Sequence, residues 1–339
     1  MNVKTKRTLT VILFALAGVG LLWYITKGQD LERIWNEFVE ANFIWIIISI
    51  LAGTLSHVLR ALRWNLLINS MGHTSKTSTT FYALMTGYLA NFVVPRLGEV
   101  TRCVTLNKYS GVPFNILAGT VVAERVFDMF SLLTLIFFTI IFQFQFLKEF
   151  LDYYLFSPLV SLAEGKIWII ALMGIAILAF LFFIWMYFRR VKTEKQGLAS
   201  KIKRQIIGFL KGMASLGLLR NKLLFLVYSF FIWVLYFLMV YVVFFALGAT
   251  SHLGPAAGLT LLVTGSLGIV APVPGGVGTY HFMVIITLTE LYGIASEPAT
   301  SYAYLAHASQ MVMIIVLGAF SWMMLSINLK KNPIPGRRI

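Results

Sequence analysis

The chain has 339 residues, of which 59% are apolar and only 12% are Asp, Glu, Lys or Arg. Soluble domains carry roughly 25% charged residues, so this composition excludes a soluble globular protein, a disordered chain and a fibrous one. The apolar residues occur in long uncharged runs, and runs of about 18 or more predict membrane-spanning helices. The sequence therefore predicts an all-α polytopic membrane protein, with one integral membrane domain over residues 1–339.

Basic residues outnumber acidic ones by 28 to 13, which gives a net charge of +15. Their placement is typical of the positive-inside rule. Because no aromatic-basic module and no zinc motif is present, we expect no nucleic-acid partner. The single cysteine, Cys103, excludes an internal disulfide and a metal cluster of cysteines.

The apolar runs begin at residues 8–26, which predict a retained first helix because no clear signal-peptide cleavage site follows them. Residues 30–41 carry apolar side chains on one helical face and acids on the other, which predicts an interfacial helix. The further apolar runs are 43–70, 77–94, 113–147, 166–188, 222–247, 255–272, 277–292 and 298–328.

Loop charge orients these runs relative to the membrane. The N-terminus, the end of the run at 43–70, the basic loop at 189–222 and the C-terminal tail are all rich in Lys and Arg, so we expect them in the cytoplasm. The loop at 27–42 is acidic and is expected outside. Both chain termini are therefore predicted to be cytoplasmic.

These orientations require two segments to leave one side of the membrane and return to it. The first is 77–110, with Pro95 and Gly98 near its middle, and the second is 255–292, which opens the other way around the PVPGGVG stretch at 272–278. Broken backbone at membrane depth is tolerated only where it is buried in protein or lines a cavity. The sequence thus predicts a helical bundle with two Pro/Gly-broken re-entrant-type hairpins.

The order of elements predicts an inverted-topology repeat, with residues 8–147 as the first half and 166–328 as the second. Such repeats are typical of transporters, whose sites lie between the broken elements of the two halves. Two unrelated hydrophobic halves with ordinary kinks are the alternative interpretation.

Three charges fall within seven residues at the middle of the first hairpin. Glu99 can offset one arginine and leave the other for an anion, because the planar fork of arginine suits phosphate or carboxylate. A loop at the water surface is the alternative. The candidate binding residues of this hairpin are Asn91, Pro95, Arg96, Gly98, Glu99 and Arg102.

A second charged group, Glu124, Arg125 and Asp128, interrupts the apolar run at 113–147. Glu124 and Asp128 share one helical face, and Arg125 lies about 100° around the helix. Charges inside apolar sequence need partners nearby, and Arg96 or Arg102 could supply them. The group is either an ion-pair scaffold or a substrate or proton site.

His57, Arg60 and Arg63 lie along one face in the cytoplasmic third of their predicted helix. Arg60 and Arg63 either extend their side chains to the lipid headgroups or form a basic wall that binds one. Both are retained as candidate binding residues.

The turn of the second hairpin carries Pro274, Gly275, Gly276 and Gly278, followed by His281. Exposed glycine amides at the start of a helix can cradle an anion. A purely structural turn is the alternative. His307 and Gln310, one turn apart in the last run, are expected to be core polar residues.

The stretches PRLGEVTR (95–102), AERVFD (123–128) and PVPGGVG (272–278) resemble those of the lysylphosphatidylglycerol synthase transmembrane-region family. This family, also called flippase-like domain proteins, is the membrane half of the bacterial multiple peptide resistance factor. The resemblance covers about residues 8–328 and implies a bacterial inner-membrane protein that moves a polar lipid between leaflets. The family pattern falls on Pro95, Gly98, Glu99, Arg102, Glu124, Arg125, Asp128, Pro274, Gly275, Gly276 and Gly278.

Two departures from the family pattern bear on function. No soluble aminoacyl-transferase domain is present in the 339 residues, so synthesis of an aminoacyl lipid is not expected. His281 stands where many relatives have a glutamate, which leaves the polarity of the second hairpin and the lipid substrate open.

The sequence predicts a flippase that moves a polar or anionic phospholipid or glycolipid without an ATPase of its own, since no P-loop and no common hydrolase motif occurs. We expect no cofactor, no metal and no catalytic residue. The alternative is a membrane-embedded enzyme or accessory subunit acting on glycolipid or isoprenoid-phosphate precursors. A homo-oligomer or a separate synthase is a possible partner.

The predicted topology is testable with single cysteines in a Cys103→Ser background. Cysteines replacing Ser75 and Gly111 should react with a membrane-impermeant thiol reagent from the cytoplasm, and those replacing His252 and Ala295 from outside. Labelling of positions 75 and 111 from opposite sides would rule out the first hairpin.

Overall fold

A computed structural model describes residues 3–94, 97–143, 219, 221–271 and 273–331. Every regular element in these ranges is helical, which confirms the predicted all-α class. The α-helices, numbered in the order described, are α1 (Val3–Thr26), α2 (Leu31–Glu40), α3 (Phe43–Ser70), α4 (Thr77–Val93), α5 (Leu97–Ser110), α6 (Phe114–Phe142), α7 (Lys222–Tyr241), α8 (Pro255–Val270), α9 (Thr279–Ile286) and α10 (Ser296–Lys331). Single turns extend α7 over Val242–Ala246 and α9 over Thr287–Leu291, and another, Pro274–Gly276, precedes α9.

Four of these helical segments are long and apolar enough to cross a membrane: Phe43–Ser70, Phe114–Phe142, Lys222–Ala246 and Ser296–Ile327. Their outward faces carry large exposed apolar side chains. Leu51, Phe230 and Trp322, for example, lie on three different spans and are each exposed by more than 60%. Such surface is stable only against lipid tails, so the chain is a polytopic membrane protein.

The chain divides into two compact units, one formed by residues 1–125 with 219–339 and the other by residues 126–218. Residues 144–218, which include the predicted run at 166–188 and most of the basic loop at 189–222, lie outside the described residues. The division into repeat halves and their inverted relationship stay predictions.

Helix α3 lies at the centre of the larger unit, where it packs against α4, α7 and α10. Small and polar residues let the helices approach closely, as is usual inside membrane bundles. Ser49 of α3 donates a hydrogen bond to the carbonyl of Met239 in α7 at 2.7 Å. Gly53 faces the sulfur atoms of Met239 and Met313, so α3, α7 and α10 meet at one glycine.

Helices α4 and α5 fold back on each other at the predicted break. The Asn91 side chain accepts a hydrogen bond from the Gly98 amide at 2.6 Å, and a Cβ at Gly98 would press against the Gly87 carbonyl oxygen. The backbones therefore touch at two glycines. Pro95 and Arg96, the predicted tip of this hairpin, lie outside the described residues.

The second break lies between α8 and α9 and depends on glycines in the left-handed region. Gly275 and Gly278 have φ of 61° and 88°, values that L side chains rarely adopt. The Phe92 ring of α4 lies so close to Gly275 that a Cβ there would come within 2.8 Å of it. The ends of the two broken helix pairs thus touch, although their re-entry into the membrane stays a prediction.

The glycine contact between α4 and α5 predicts that Gly98→Ala destabilises the protein. The added methyl group would meet the backbone oxygen of Gly87 as well as the Asn91 side chain, and such overpacking costs about 1–3 kcal/mol. Gly119→Ala is the matched control, because a Cβ at this position in α6 meets nothing within 4 Å. Thermal unfolding in detergent should show a lower midpoint for Gly98→Ala alone; equal midpoints would contradict the close approach.

Candidate functional site

Three arginines converge on the carboxylate of Glu124. One oxygen, Oε1, accepts hydrogen bonds from Arg60 Nη2 at 2.6 Å and from Arg63 Nη2 at 3.3 Å. The other, Oε2, accepts one from Arg102 Nη1 at 3.0 Å. Glu124 and Arg63 are fully buried, and Arg60 and Arg102 are 6% and 2% exposed. We call these four residues the Glu124 cluster.

The Glu124 cluster lies well within the helices that build it. With a rise of 1.5 Å per residue, Glu124 is about 15 Å from the start of α6, and Arg60 is about 15 Å from the end of α3. Arg102 is about 12 Å from the end of α5. At such depth a charge is expensive unless it is paired, so the shared carboxylate is what permits arginines here.

Helix α7 supports the two arginines of α3. Arg60 Nη1 donates to the Tyr236 hydroxyl at 2.9 Å, and Arg63 Nη1 donates to Ser229 Oγ at 3.1 Å. Both side chains are buried and turn inward to the ion pair, a geometry that neither interpretation from the sequence included. A role for Arg60 and Arg63 in binding a headgroup stays a prediction.

Arg102 is fixed by two contacts and has two further donors without a partner among the described residues. Its guanidinium carbon lies 4.8 Å from the centre of the Trp64 ring, and Trp64 is itself fixed by a 2.9 Å hydrogen bond from Nε1 to Thr120 Oγ1. The Nε and Nη2 atoms of Arg102 are buried and have no hydrogen-bond partner in the described part of the chain. Buried donors nearly always have a partner, so these two atoms indicate a ligand or ordered water.

Other buried polar atoms around the Glu124 cluster also lack partners within the described residues. They are the hydroxyl of Tyr88, the indole nitrogen of Trp233 and Nδ1 of His57. The Tyr88 ring lies 4.9 Å from the His57 ring and 5.7 Å from the guanidinium carbon of Arg60. Unused hydrogen-bonding groups from α3, α4 and α7 thus lie near Arg60 or near its partner Tyr236.

A second ion pair joins α5 and α6 beside the cluster. Arg125 Nη2 lies 3.1 Å from Glu99 Oε1, and the two side chains are 41% and 31% exposed. Each helix thus contributes one acid and one base, with Glu99 and Arg102 on α5 facing Arg125 and Glu124 on α6. The buried pair and the half-exposed pair have opposite polarity, which fixes the register of the two helices.

The remaining candidates of the first half fall elsewhere. The Asn91 side chain binds the Gly98 amide, which is a structural role in the α4–α5 turn. Asp128 belongs to the compact unit of residues 126–218. Nothing in the described residues tests a binding role for Pro95 or Arg96.

In the glycine turn of the second half, backbone amides donate hydrogen bonds to groups of the turn itself and of the helix that follows it. The Gly276 amide donates to the Val273 carbonyl at 3.1 Å, and the Gly278 amide donates to Nδ1 of His281 at 3.3 Å. His307 Nε2 lies 2.9 Å from the Gly275 carbonyl oxygen, so both histidines support the turn. This geometry favours the structural interpretation for Pro274, Gly275, Gly276, Gly278 and His281 over an anion cradle.

Several residues of the site could not be identified from the sequence. Nothing distinguishes Trp64, Tyr88, Ser229 and Tyr236 from other aromatic and small residues of apolar helices. The pairing of Glu124 with Arg60 and Arg63 had a detectable signal, because each of these charges interrupts an apolar run and needs a partner.

Comparison with known proteins places most of the chain in one group. The family described as the lysylphosphatidylglycerol synthase TM region matches residues 9–318. A UPF0104 membrane protein of Methanothermobacter thermautotrophicus is 22% identical over 308 residues, which cover 84% of this chain and 85% of the relative. The UPF0104 membrane protein MJ1595 of Methanocaldococcus jannaschii is 27% identical over 185 residues, which cover 52% of this chain and 53% of the relative. A second protein of that organism, the UPF0104 membrane protein MJ1078, is 25% identical over 247 residues, or 73% of this chain and 97% of the relative.

The shared carboxylate predicts that Glu124→Gln is strongly destabilising. Removing the acid leaves buried arginines without this counter-charge, and breaking a buried pair costs about 3–5 kcal/mol. Glu99→Gln is the matched control, since its pair with Arg125 is half exposed and pairs of that kind are worth about 1 kcal/mol or less. Folded yield and unfolding temperature in detergent should fall for Glu124→Gln only; a stable Glu124→Gln protein would contradict the account of the cluster.

Proposed function

Because the chain belongs to the lysylphosphatidylglycerol synthase transmembrane-region family, we propose that it is a flippase that moves a polar or anionic lipid between the leaflets of the membrane. The single observation that carries this proposal is the Glu124 cluster, with unpartnered donors around it at membrane depth. We place the protein in a bacterial inner membrane, with both termini in the cytoplasm.

A lipid headgroup crosses the bilayer only if something replaces its hydration shell. Moving a charged group into hydrocarbon without compensation costs many kcal/mol, so a path for it needs fixed charges and hydrogen-bond donors inside the membrane. Arg102 and Tyr88 offer such donors from α5 and α4, while the lipid tails stay outside the bundle. An anionic group is favoured because arginine only donates hydrogen bonds.

The broken helices support a path near this cluster. Discontinuous helices at membrane depth are typical of transporter sites, where two broken elements face each other. In this chain the α4–α5 and α8–α9 breaks touch through Phe92 and Gly275. A movement at this contact would separate the two helix pairs and admit a headgroup between them.

The energy source is proposed to be the lipid gradient or a coupled ion. The sequence contains no P-loop, so ATP hydrolysis by this chain alone is not expected. A homo-oligomer or a separate synthase that supplies the lipid are the proposed partners.

An accessory or enzymatic role in glycolipid or isoprenoid-phosphate metabolism is the second candidate. The same buried arginines favour it, because a terminal phosphate on an isoprenoid chain presents the oxyanion that an arginine fork binds. It differs from transport in one respect: the lipid would be held or modified without crossing the membrane.

Transport predicts that the purified protein in liposomes speeds the exchange of a labelled anionic lipid between leaflets without ATP. The physical reason is that the buried donors lower the cost of moving the headgroup through the hydrocarbon. Exchange is measured as the fraction of a fluorescent lipid that a membrane-impermeant quencher reaches over time.

The control is an unrelated polytopic protein at the same protein-to-lipid ratio, which reveals non-specific exchange. Several headgroups are tested side by side, including phosphatidylglycerol and a glycolipid. Exchange no faster than in the control, for every headgroup, would contradict transport and favour the accessory role.

A further inference from the structure

We infer that Arg102 binds the phosphate group of a phosphate-bearing lipid through the edge formed by its Nε and Nη2 atoms, and that the Glu99–Arg125 pair marks the entrance to this site. The inference rests on the proposed function and names the chemistry of its substrate. It concerns the described residues of the larger compact unit only.

The Nε–Nη2 edge of Arg102 is presented in a fixed position. Nη1 is bonded to Glu124, and the face of the guanidinium group is set by the Trp64 ring 4.8 Å away. The two remaining donors lie side by side, with their N–H bonds nearly parallel, which is the fork that binds two oxygens of one oxyanion. Because the ordering of this side chain is complete before a ligand arrives, little entropy is lost on binding.

Phosphate fits the surroundings better than carboxylate. A carboxylate has two oxygens, and the fork of Arg102 uses both. A phosphodiester also has two free oxygens, but its two ester oxygens, arranged tetrahedrally with them, are further weak acceptors. The hydroxyl of Tyr88, whose ring lies 5.7 Å from the guanidinium carbon of Arg60, is a buried donor without a partner among the described residues. A tetrahedral group therefore uses more of the donors that the protein has already desolvated.

The Glu99–Arg125 pair explains how a charged group reaches this depth. Arg125 lies about 16 Å from the start of α6, yet its side chain is 41% exposed. Charges at such depth are expected to face the bundle interior or a water-filled cavity, so we assign the exposed side of Arg125 to the route by which a headgroup arrives. Glu99 is one helical turn from Arg102, and an arriving phosphate that displaces it from Arg125 comes next to the Arg102 fork.

Binding is tested with the purified full chain in detergent, by the shift in unfolding temperature on titration with phosphatidylglycerol. Diacylglycerol with the same acyl chains is the phosphate-free control, and inorganic phosphate is the lipid-free one. We expect stabilisation by phosphatidylglycerol alone. Stabilisation by inorganic phosphate at the same concentrations would overturn the assignment to a lipid.

Arg102→Lys keeps the charge opposite Glu124 but removes the fork, so the apparent affinity for phosphatidylglycerol should fall at least tenfold. Lys108→Gln is the matched control, because it removes a positive charge from an exposed position of the same helix. Its affinity should stay within twofold of the wild type. Equal affinity of Arg102→Lys and the wild type would overturn the inference.

Tyr88→Phe keeps the test decisive if Arg102→Lys does not fold. The hydroxyl it removes has no partner in the described structure, so the lipid-free protein should unfold at or above the wild-type temperature. Its affinity for phosphatidylglycerol should nevertheless fall several-fold. Unchanged affinity in a folded Tyr88→Phe protein, with Arg102→Lys unfolded, would overturn the inference.

Arg125→Gln separates the entrance from the site. This variant should slow lipid exchange in liposomes several-fold and leave the affinity for phosphatidylglycerol in detergent within twofold of the wild type. A normal exchange rate would overturn the assignment of the Glu99–Arg125 pair as the entrance.

The experiments also distinguish failure of the binding inference from failure of the flippase proposal. Arg102-dependent binding without exchange would support the inference and defeat the flippase proposal, whereas wild-type exchange by Arg102→Lys would do the reverse.

Discussion

The larger unit depends on the buried ion pairs that three arginines form with the carboxylate of Glu124. This carboxylate accepts hydrogen bonds from arginines of α3 and α5 while it belongs to α6, and α7 completes the group through Tyr236 and Ser229. No water is available in hydrocarbon to compensate a charge that loses its partner. The Glu124 carboxylate thus holds four helices in one arrangement, because any other arrangement would leave a buried charge without its partner.

The same cluster that stabilises the bundle also leaves hydrogen-bonding capacity unused. A structural ion pair would be cheapest if every donor were bonded, yet Nε and Nη2 of Arg102 are buried without partners among the described residues. Fixed, desolvated donors without partners destabilise the ligand-free protein, whereas in a complex with an oxyanion the same donors form hydrogen bonds. The proposed binding of a lipid phosphate would give this edge of Arg102 its hydrogen-bond partners.

Composition and the length of the apolar runs were sufficient to predict an all-α membrane protein, because the bilayer permits few other structures for such runs. Charges inside apolar runs likewise identified Arg60, Arg63 and Glu124 as candidates, and the charged group of the first hairpin identified Arg102. A pairing of Arg102 with the Glu124 group was anticipated, and the structure has it. The pairing of Glu124 with Arg60 and Arg63 was not, since it depends on how α3 and α6 rotate about their axes on packing. For the glycine turn the sequence left an anion cradle and a structural turn open. Spacing alone does not reveal that the amides of Gly276 and Gly278 have partners within the turn.

The most direct test of the central claim is a cryo-electron microscopy map of the protein in nanodiscs that contain phosphatidylglycerol. The account predicts tetrahedral non-protein density within about 3 Å of Nε and Nη2 of Arg102, with Nη1 still on Glu124. It also predicts acyl-chain density that leads from this point to the membrane. A map in which both atoms are bonded to protein side chains, with no lipid density at Arg102, would contradict it.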